Sequence, residues 1–134
     1  MVCVCVVALC VAGFLVLWRV AVAISDVSFI DSVWGLGMGG LALATYLQAH
    51  GAPARQLLLL VICGVWSVRL GLHLLTRWRA HGPDRRYVRM MQKAEAERGW
   101  GYGQASLRLV FALQAPLMWT VALPVQLGQM SSAP

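Results

Sequence analysis

The chain has 134 residues, 60% of them hydrophobic and 12% charged, with a mean hydropathy of +0.70 and a formal net charge of +6. So apolar a chain lacks the polar surface that a soluble domain of this size requires, which points to an integral membrane protein. The charge does not indicate nucleic acid: eight of the eleven Lys and Arg fall between Arg77 and Arg108, against Asp84, Glu95 and Glu97, the pattern of a cytoplasmic loop that orients a protein in the bilayer.

Residues 2–18 are apolar, and the run resumes beyond Arg19 to Ile24. This predicts a first span in which Arg19 snorkels to the interface. A cleaved signal peptide ending near Ala21-Val22-Ala23 is the alternative, but no positive residue precedes its apolar core. The sequence SDVSFIDS (25–32) then interrupts the apolar character with two carboxylates, and Asp31 or Ser32 is placed to cap the helix that follows.

A second span is expected over residues 33–49. Its small-xxx-small spacings, from Gly35, Gly39 and the pair Gly40 and Ala44, allow close approach of a helix, making Gly35, Gly39 and Gly40 the candidates for a helix-packing partner. The same stretch satisfies GxGxxG, but no strand precedes it and no acidic residue stands about twenty positions later, so it is not a dinucleotide motif. Residues 50–56 form a turn around Gly51 and Pro53, and residues 57–76 a third span.

Gly82-Pro83 breaks the chain, and residues 84–98 read as an amphipathic helix ended by Gly99. Tyr87, Met91 and Ala94 would share its inner face while Arg86, Arg89, Lys93 and Glu97 stay wet. Such a helix can lie on an anionic membrane surface, and Trp100 and Tyr102 suit the headgroup region. Residues 107–127 make a fourth span, kinked by Pro116 and Pro124. The fold expected is therefore all-α: one polytopic membrane helix bundle over residues 1–134, with four transmembrane helices, one amphipathic loop helix and a basic cytoplasmic loop over 80–104.

Cys3, Cys5, Cys10 and Cys63 lie in apolar runs without a CxxC and read as small buried hydrophobes. The chemically distinctive residues are Arg69, His73 and Arg77, spaced by four on one helical face. A charge at that depth needs a partner, and the topology brings Asp26 and Asp31 to the same membrane face. Asp31 and Arg69 are expected as a buried polar pair. That pair is either a structural ion pair or part of a pocket, with His73, that admits an anionic or polar group of a lipid-like molecule.

Asp84-Arg85-Arg86-Tyr87 is either a capped helix start on a solvated face or an arginine pair that holds phosphates beside an aromatic ring. Gln114, before Pro116, can bond a neighbouring helix. There is no nucleophile beside a His, no metal-ligand spacing and no carboxylate pair on one helix. The residues alone give no catalytic constellation.

An ordered set of short motifs carries a resemblance. Ser28-Phe29-Ile30-Asp31 precedes Trp34-Gly35-Leu36-Gly37; Trp66 and Arg69-Leu70-Gly71 follow, then Arg77, Asp84-Arg85-Arg86-Tyr87, Gln114-Ala115-Pro116 and Leu123-Pro124. The set, over residues 25–127, resembles an uncharacterised multi-span membrane family of the steroid 5α-reductase-like, DUF1295 type. That family is grouped with the steroid 5α-reductases and, more distantly, with the isoprenylcysteine methyltransferases.

The resemblance implies an all-helical membrane enzyme that reduces a carbon–carbon double bond of a lipid or sterol-like substrate with NADPH. Its substrate or cofactor pocket would draw on Asp31, Trp34, Arg69, His73, Arg77, Asp84, Arg85, Tyr87 and Gln114. It also implies that most of the cofactor site, an Arg, His, Asn and Tyr cluster, belongs to a C-terminal half, so that this chain is equivalent to the N-terminal half and incomplete for catalysis. The alternatives are a small non-catalytic membrane subunit or scaffold that associates through its glycine face, and a methyltransferase-like protein. The expected location is the bacterial inner membrane or the endoplasmic reticulum.

Overall fold

A segment in lipid must satisfy its own amide groups, and the helix does so within one stretch of chain. The computed structural model describes residues 2–132, with side chains from Val7 onward, so the expectations for Cys3 and Cys5 lie outside it. Its elements are α1 (Val2–Ile24), α2 (Ile30–Tyr46), α3 (Pro53–His81), α4 (Arg85–Arg98), α5 (Tyr102–Ser106), a π-helical turn (Leu107–Phe111) and α6 (Ala112–Met130). Among the described residues there is no strand.

Three stretches are long and apolar enough to cross a membrane: Val7–Ile24, Pro53–His81 and Tyr102–Met130. That is one fewer than the sequence led us to expect. The difference is α2, whose 17 residues rise only about 25 Å against a hydrocarbon core of about 30 Å. Instead of running on to Ala49, the helix stops at Tyr46 and closes in hydrogen-bonded turns, with the amides of Gln48 and Ala49 both donating to the Thr45 carbonyl. Its position offsets its length, because α2 lies among α1, α3 and α6.

The most extensive helix pair is α2 with α3, and small residues make it close. Cys63, Ser67 and Gly71 are the buried stripe of α3, spaced by four along one face. A Cβ on Gly35 would stand 3.0 Å from the Gly71 backbone nitrogen, and one on Gly39 2.9 Å from the Ser67 Cβ. The glycines that the sequence offered to a helix-packing partner, Gly35 and Gly39, thus meet α3 of the same chain, while Gly40 has open space about it. Lipid tails are as apolar as the side chains, so dispersion at this close seam replaces the hydrophobic drive. Exposed Leu, Val and Ile on α1, α3 and α6 complete the outer surface.

The helix ends are set by local chemistry. α1 stops where Ser25 takes φ 53°, a conformation more often given to glycine, and the Asp26 amide closes back onto the Ala21 carbonyl at 3.1 Å. α2 does not use the expected cap: it begins at Ile30 behind Phe29, with Asp31 and Ser32 inside its first turn. α3 starts with Pro53 and ends at Gly82, φ 69°. α4 has Asp84 as N-cap and Gly99, φ 64°, as C-cap, as its sequence requires.

Pro116 and Pro124 both lie inside a continuous α6. The irregularity falls upstream, in the π-turn, one of the recognised sources of helix distortion. At the far end of the bundle the chain is tied together by the Ala52 amide on the Ser131 carbonyl at 3.0 Å. There the Gln56 amide group also donates to Ala49 and Gln129 carbonyls at 2.9 Å.

Candidate functional site

The connection between α1 and α2 organises the opposite end. Asp26 is buried, with 9% of its surface exposed, and both its oxygens are used. Oδ1 accepts the Ser28 amide and Oδ2 the Trp78 indole N–H, each at 2.8 Å. Hydrogen bonds to a charged group contribute about 1.5–3 kcal/mol each, so the loop is clipped firmly to the last turn of α3. The Phe29 ring packs on Trp78 at a centroid distance of 6.0 Å.

The same loop positions α4. The Asp84 amide donates to Ser28 Oγ at 2.7 Å, and one helical turn later Tyr87 donates its hydroxyl proton to Asp31 Oδ1 at 2.8 Å. Burial first, then the bond to Asp31 and its charge, pushes the Tyr87 phenol well above its ordinary range. It therefore stays a donor. Met91 and Ala94 continue the buried face of α4, while Arg86, Arg89, Lys93 and Glu97 are exposed, the division expected from the sequence.

Asp84 Oδ1 accepts the Arg86 amide at 2.8 Å, and the Arg86 side chain folds back onto the carboxylate at 2.8 Å. The Arg86 side-chain bond is the main reason that the Asp84 carboxyl is held down at about 2. Arg86 also reaches Asp31 Oδ2 at 3.6 Å, but with 74% of its side chain exposed that pair is screened and contributes little to stability.

These elements enclose a cavity of about 490 Å³ between the end of α3 and the start of α4, lined by Ser28, Asp31, Arg77, Trp78, His81 and Asp84, with Leu74, Gly82, Pro83 and Arg85 completing the wall. Its volume is in the range of small-molecule sites. Asp31 and Asp84 are already engaged by Tyr87 and Arg86, whereas Arg77 and Arg85 form no ion pair among the described residues. The wall therefore offers two guanidinium groups, an imidazole and a hydroxyl to an anionic or hydroxyl-bearing ligand, with carboxylate oxygens beside them.

The residues named from the sequence divide into two groups. Asp31, Arg77, Asp84 and Arg85 share the cavity wall, and Tyr87 bonds Asp31. The expected pair of Asp31 with Arg69 is not formed. Asp31 faces α4, and Arg69 lies with His73 on the exposed side of α3, beside the Cys63, Ser67 and Gly71 stripe that α2 covers. Gln114 is half-buried on α6 and does not line this cavity. Trp34 is half-buried on α2, with its indole N–H buried and without a hydrogen-bond partner among the described residues.

Trp78, His81 and Ser28 were not among the pocket residues expected from the sequence. Trp78 had a legible signal: it lies seven residues beyond Gly71, on the heptad continuation of the small-residue stripe. Ser28 had another, the Asp-x-Ser order of a side-chain turn at Asp26. His81 had one too: it lies four residues beyond Arg77, on the same face of α3.

No curated protein and no solved structure matches the chain. Residues 17–134 match the family described as protein of unknown function (DUF1295), which takes in every element but the first two-thirds of α1. On that match, the chain belongs to the DUF1295 family.

Proposed function

We propose that this protein is part of an NADPH-dependent membrane oxidoreductase that reduces a carbon–carbon double bond of a lipid or sterol-like substrate. On this reading the cavity between α3 and α4 receives the phosphate- or hydroxyl-bearing end of a ligand. The cavity is the observation that carries it: two arginines that form no ion pair among the described residues line it with His81 and Ser28, at the end of a helix bundle. The resemblance to the steroid 5α-reductases supplies the reaction class.

The residues present fit part of NADPH. Arg77 and Arg85 suit a phosphate, for which guanidinium forks are well shaped, and the oxygens of Asp31 and Asp84 suit ribose hydroxyls. With Arg86 included, the rim carries three guanidinium charges against two carboxylates, a net positive charge that favours an anion. When bound, NADPH supplies a hydride. The chain's own part is to hold the phosphate, fix the Asp31 carboxylate in place through the Tyr87 bond, and shield the site with Trp78 and Leu74. By the positive-inside rule this end of the bundle faces the cytoplasm, in the bacterial inner membrane or the endoplasmic reticulum.

The test is a tryptophan-fluorescence titration of the purified chain with NADPH in detergent, since Trp78 lines the cavity. Loss of two charge-assisted contacts in an R77Q/R85Q variant should weaken binding about tenfold or more. Unchanged affinity in that variant, with helical content retained, would remove the cavity from the site.

A further inference from the structure

A second group of arginines lies away from this cavity, at the entry to the last span. The Arg98 guanidinium carbon stands 4.7 Å from the Trp100 ring centroid and that of Arg108 4.8 Å from the same ring. Both arginines are exposed. The ion pairs among the described residues join Arg86 to Asp31 and Asp84, and Lys93 to Glu97, so neither cation at Trp100 is neutralised. The last turn of α4 ends at Arg98, and the negative end of the helix dipole explains one cation there. It does not explain the second.

Arg108 comes from the π-turn Leu107–Phe111, six residues, or about 9 Å of helix, beyond Tyr102. Its side chain turns back to the indole rather than out to lipid. Such π-turns recur at functional sites. The region is also fixed to α1, because the Trp18 indole donates to the Gly103 carbonyl at 3.0 Å. Two guanidinium groups over one ring, within a Debye length of about 10 Å of each other, on a tryptophan of the kind that suits the headgroup region, have the form of an anion clamp.

We propose that Arg98 and Arg108, held on Trp100, bind the phosphate of one anionic phospholipid headgroup. Each guanidinium lies over the ring and keeps N–H donors for an anion, so the cation–π contact and phosphate binding are compatible. The lipid is preferred over a free phosphate ester because the clamp sits where a span begins, between the amphipathic α4 and the apolar α6. The acyl chains can then lie along the exposed Leu113 and Leu117 of α6. This site is independent of Arg77 and Arg85.

Native mass spectrometry of the full chain in mild detergent tests it, with phosphatidylglycerol and phosphatidylcholine of identical acyl chains as probes. The wild type should retain one phosphatidylglycerol about tenfold or more better than phosphatidylcholine, the scale expected of two interfacial arginines. R98Q/R108Q should bring the two lipids within about twofold, which is the residual expected from the rest of a basic surface. Should that variant fail to fold, W100L, which keeps both charges but removes their platform, should still weaken the preference.

Three results would overturn the proposal: equal retention of both lipids by the wild type; a preference that survives R98Q/R108Q and is lost in R89Q/K93Q on the outer face of α4; and displacement of the lipid by glycerol phosphate at equal concentration, which would make a soluble phosphate ester the ligand.

Discussion

The two ends of this bundle differ in how they treat their polar side chains, although the Ser32 hydroxyl lacks a partner among the described residues at the first and the Gln56 amide is bonded at the second. At the end where α3 meets α4, each carboxylate is engaged: Asp26 by Ser28 and Trp78, Asp31 by Tyr87, and Asp84 by Arg86. At the other end Gln126 and Gln129 are 1% and 0% exposed, yet neither side-chain amide has a hydrogen-bond partner among the described residues. Between the ends the helices rely on close approach of Gly35, Gly39, Ser67 and Gly71. A polar network that satisfies its carboxylates, with Arg77 and Arg85 in no ion pair among the described residues, presents positive charge. Unpartnered amides in a packed seam carry a cost without such a return.

The comparison can be broken most severely at the seam. Gly35→Leu forces a side chain against the Gly71 backbone, which cannot move aside as a flexible side chain would. It should cost about 3 kcal/mol or more, read as a lowered midpoint of thermal unfolding in detergent. Asp26→Ala should cost about 2–3 kcal/mol, because it frees the Trp78 indole and the Ser28 amide together. Loss of the Trp78 fluorescence environment should accompany it.

Gln126→Leu sharpens the contrast, since it also deletes a buried polar group but should change the sign. Removing two unsatisfied amide atoms should stabilise the fold by about 1 kcal/mol. A fall in the melting midpoint would show that the amide is engaged after all.

Tyr87→Phe has an effect of similar size and opposite sign, a loss of about 1 kcal/mol near neutrality, but a distinctive pH dependence. The Tyr87 pKa is raised in the folded state, so the folded protein holds the phenolic proton more tightly than the unfolded chain does. Its stabilising contribution is complete below the ordinary tyrosine pKa of about 10 and is lost as pH rises above it. The Phe variant should lack that alkaline loss, as a pair of denaturation series below and above pH 10 would show.

Much of this was legible in the sequence because it depended on local patterns. The amphipathic α4, its Asp84 start, its Gly99 stop and the break at Gly82-Pro83 follow from residues close in sequence. So does the gathering of Asp31, Arg77, Asp84 and Arg85 at one end, which needs only the order of the spans. The partner of Asp31 was not legible. Spacing placed Arg69 on the correct helix, but the side of α3 that meets α2 is chosen by its smallest residues, Cys63, Ser67 and Gly71, and this turns Arg69 outward. The reading of α2 as a membrane span differed for a related reason, although its 17 residues match the expected length: hydropathy does not distinguish a helix that crosses lipid from one enclosed by its neighbours.

The central claim is that the cavity between α3 and α4 is the ligand site. Hydrogen–deuterium exchange of the purified chain with and without NADPH tests it most directly, because α4 is held to the bundle by the Asp31–Tyr87 and Ser28–Asp84 bonds that flank the cavity. Slower exchange confined to residues 77–92 and to the loop 25–31 is the result this account predicts. Slower exchange elsewhere, with those two segments unchanged, would contradict it.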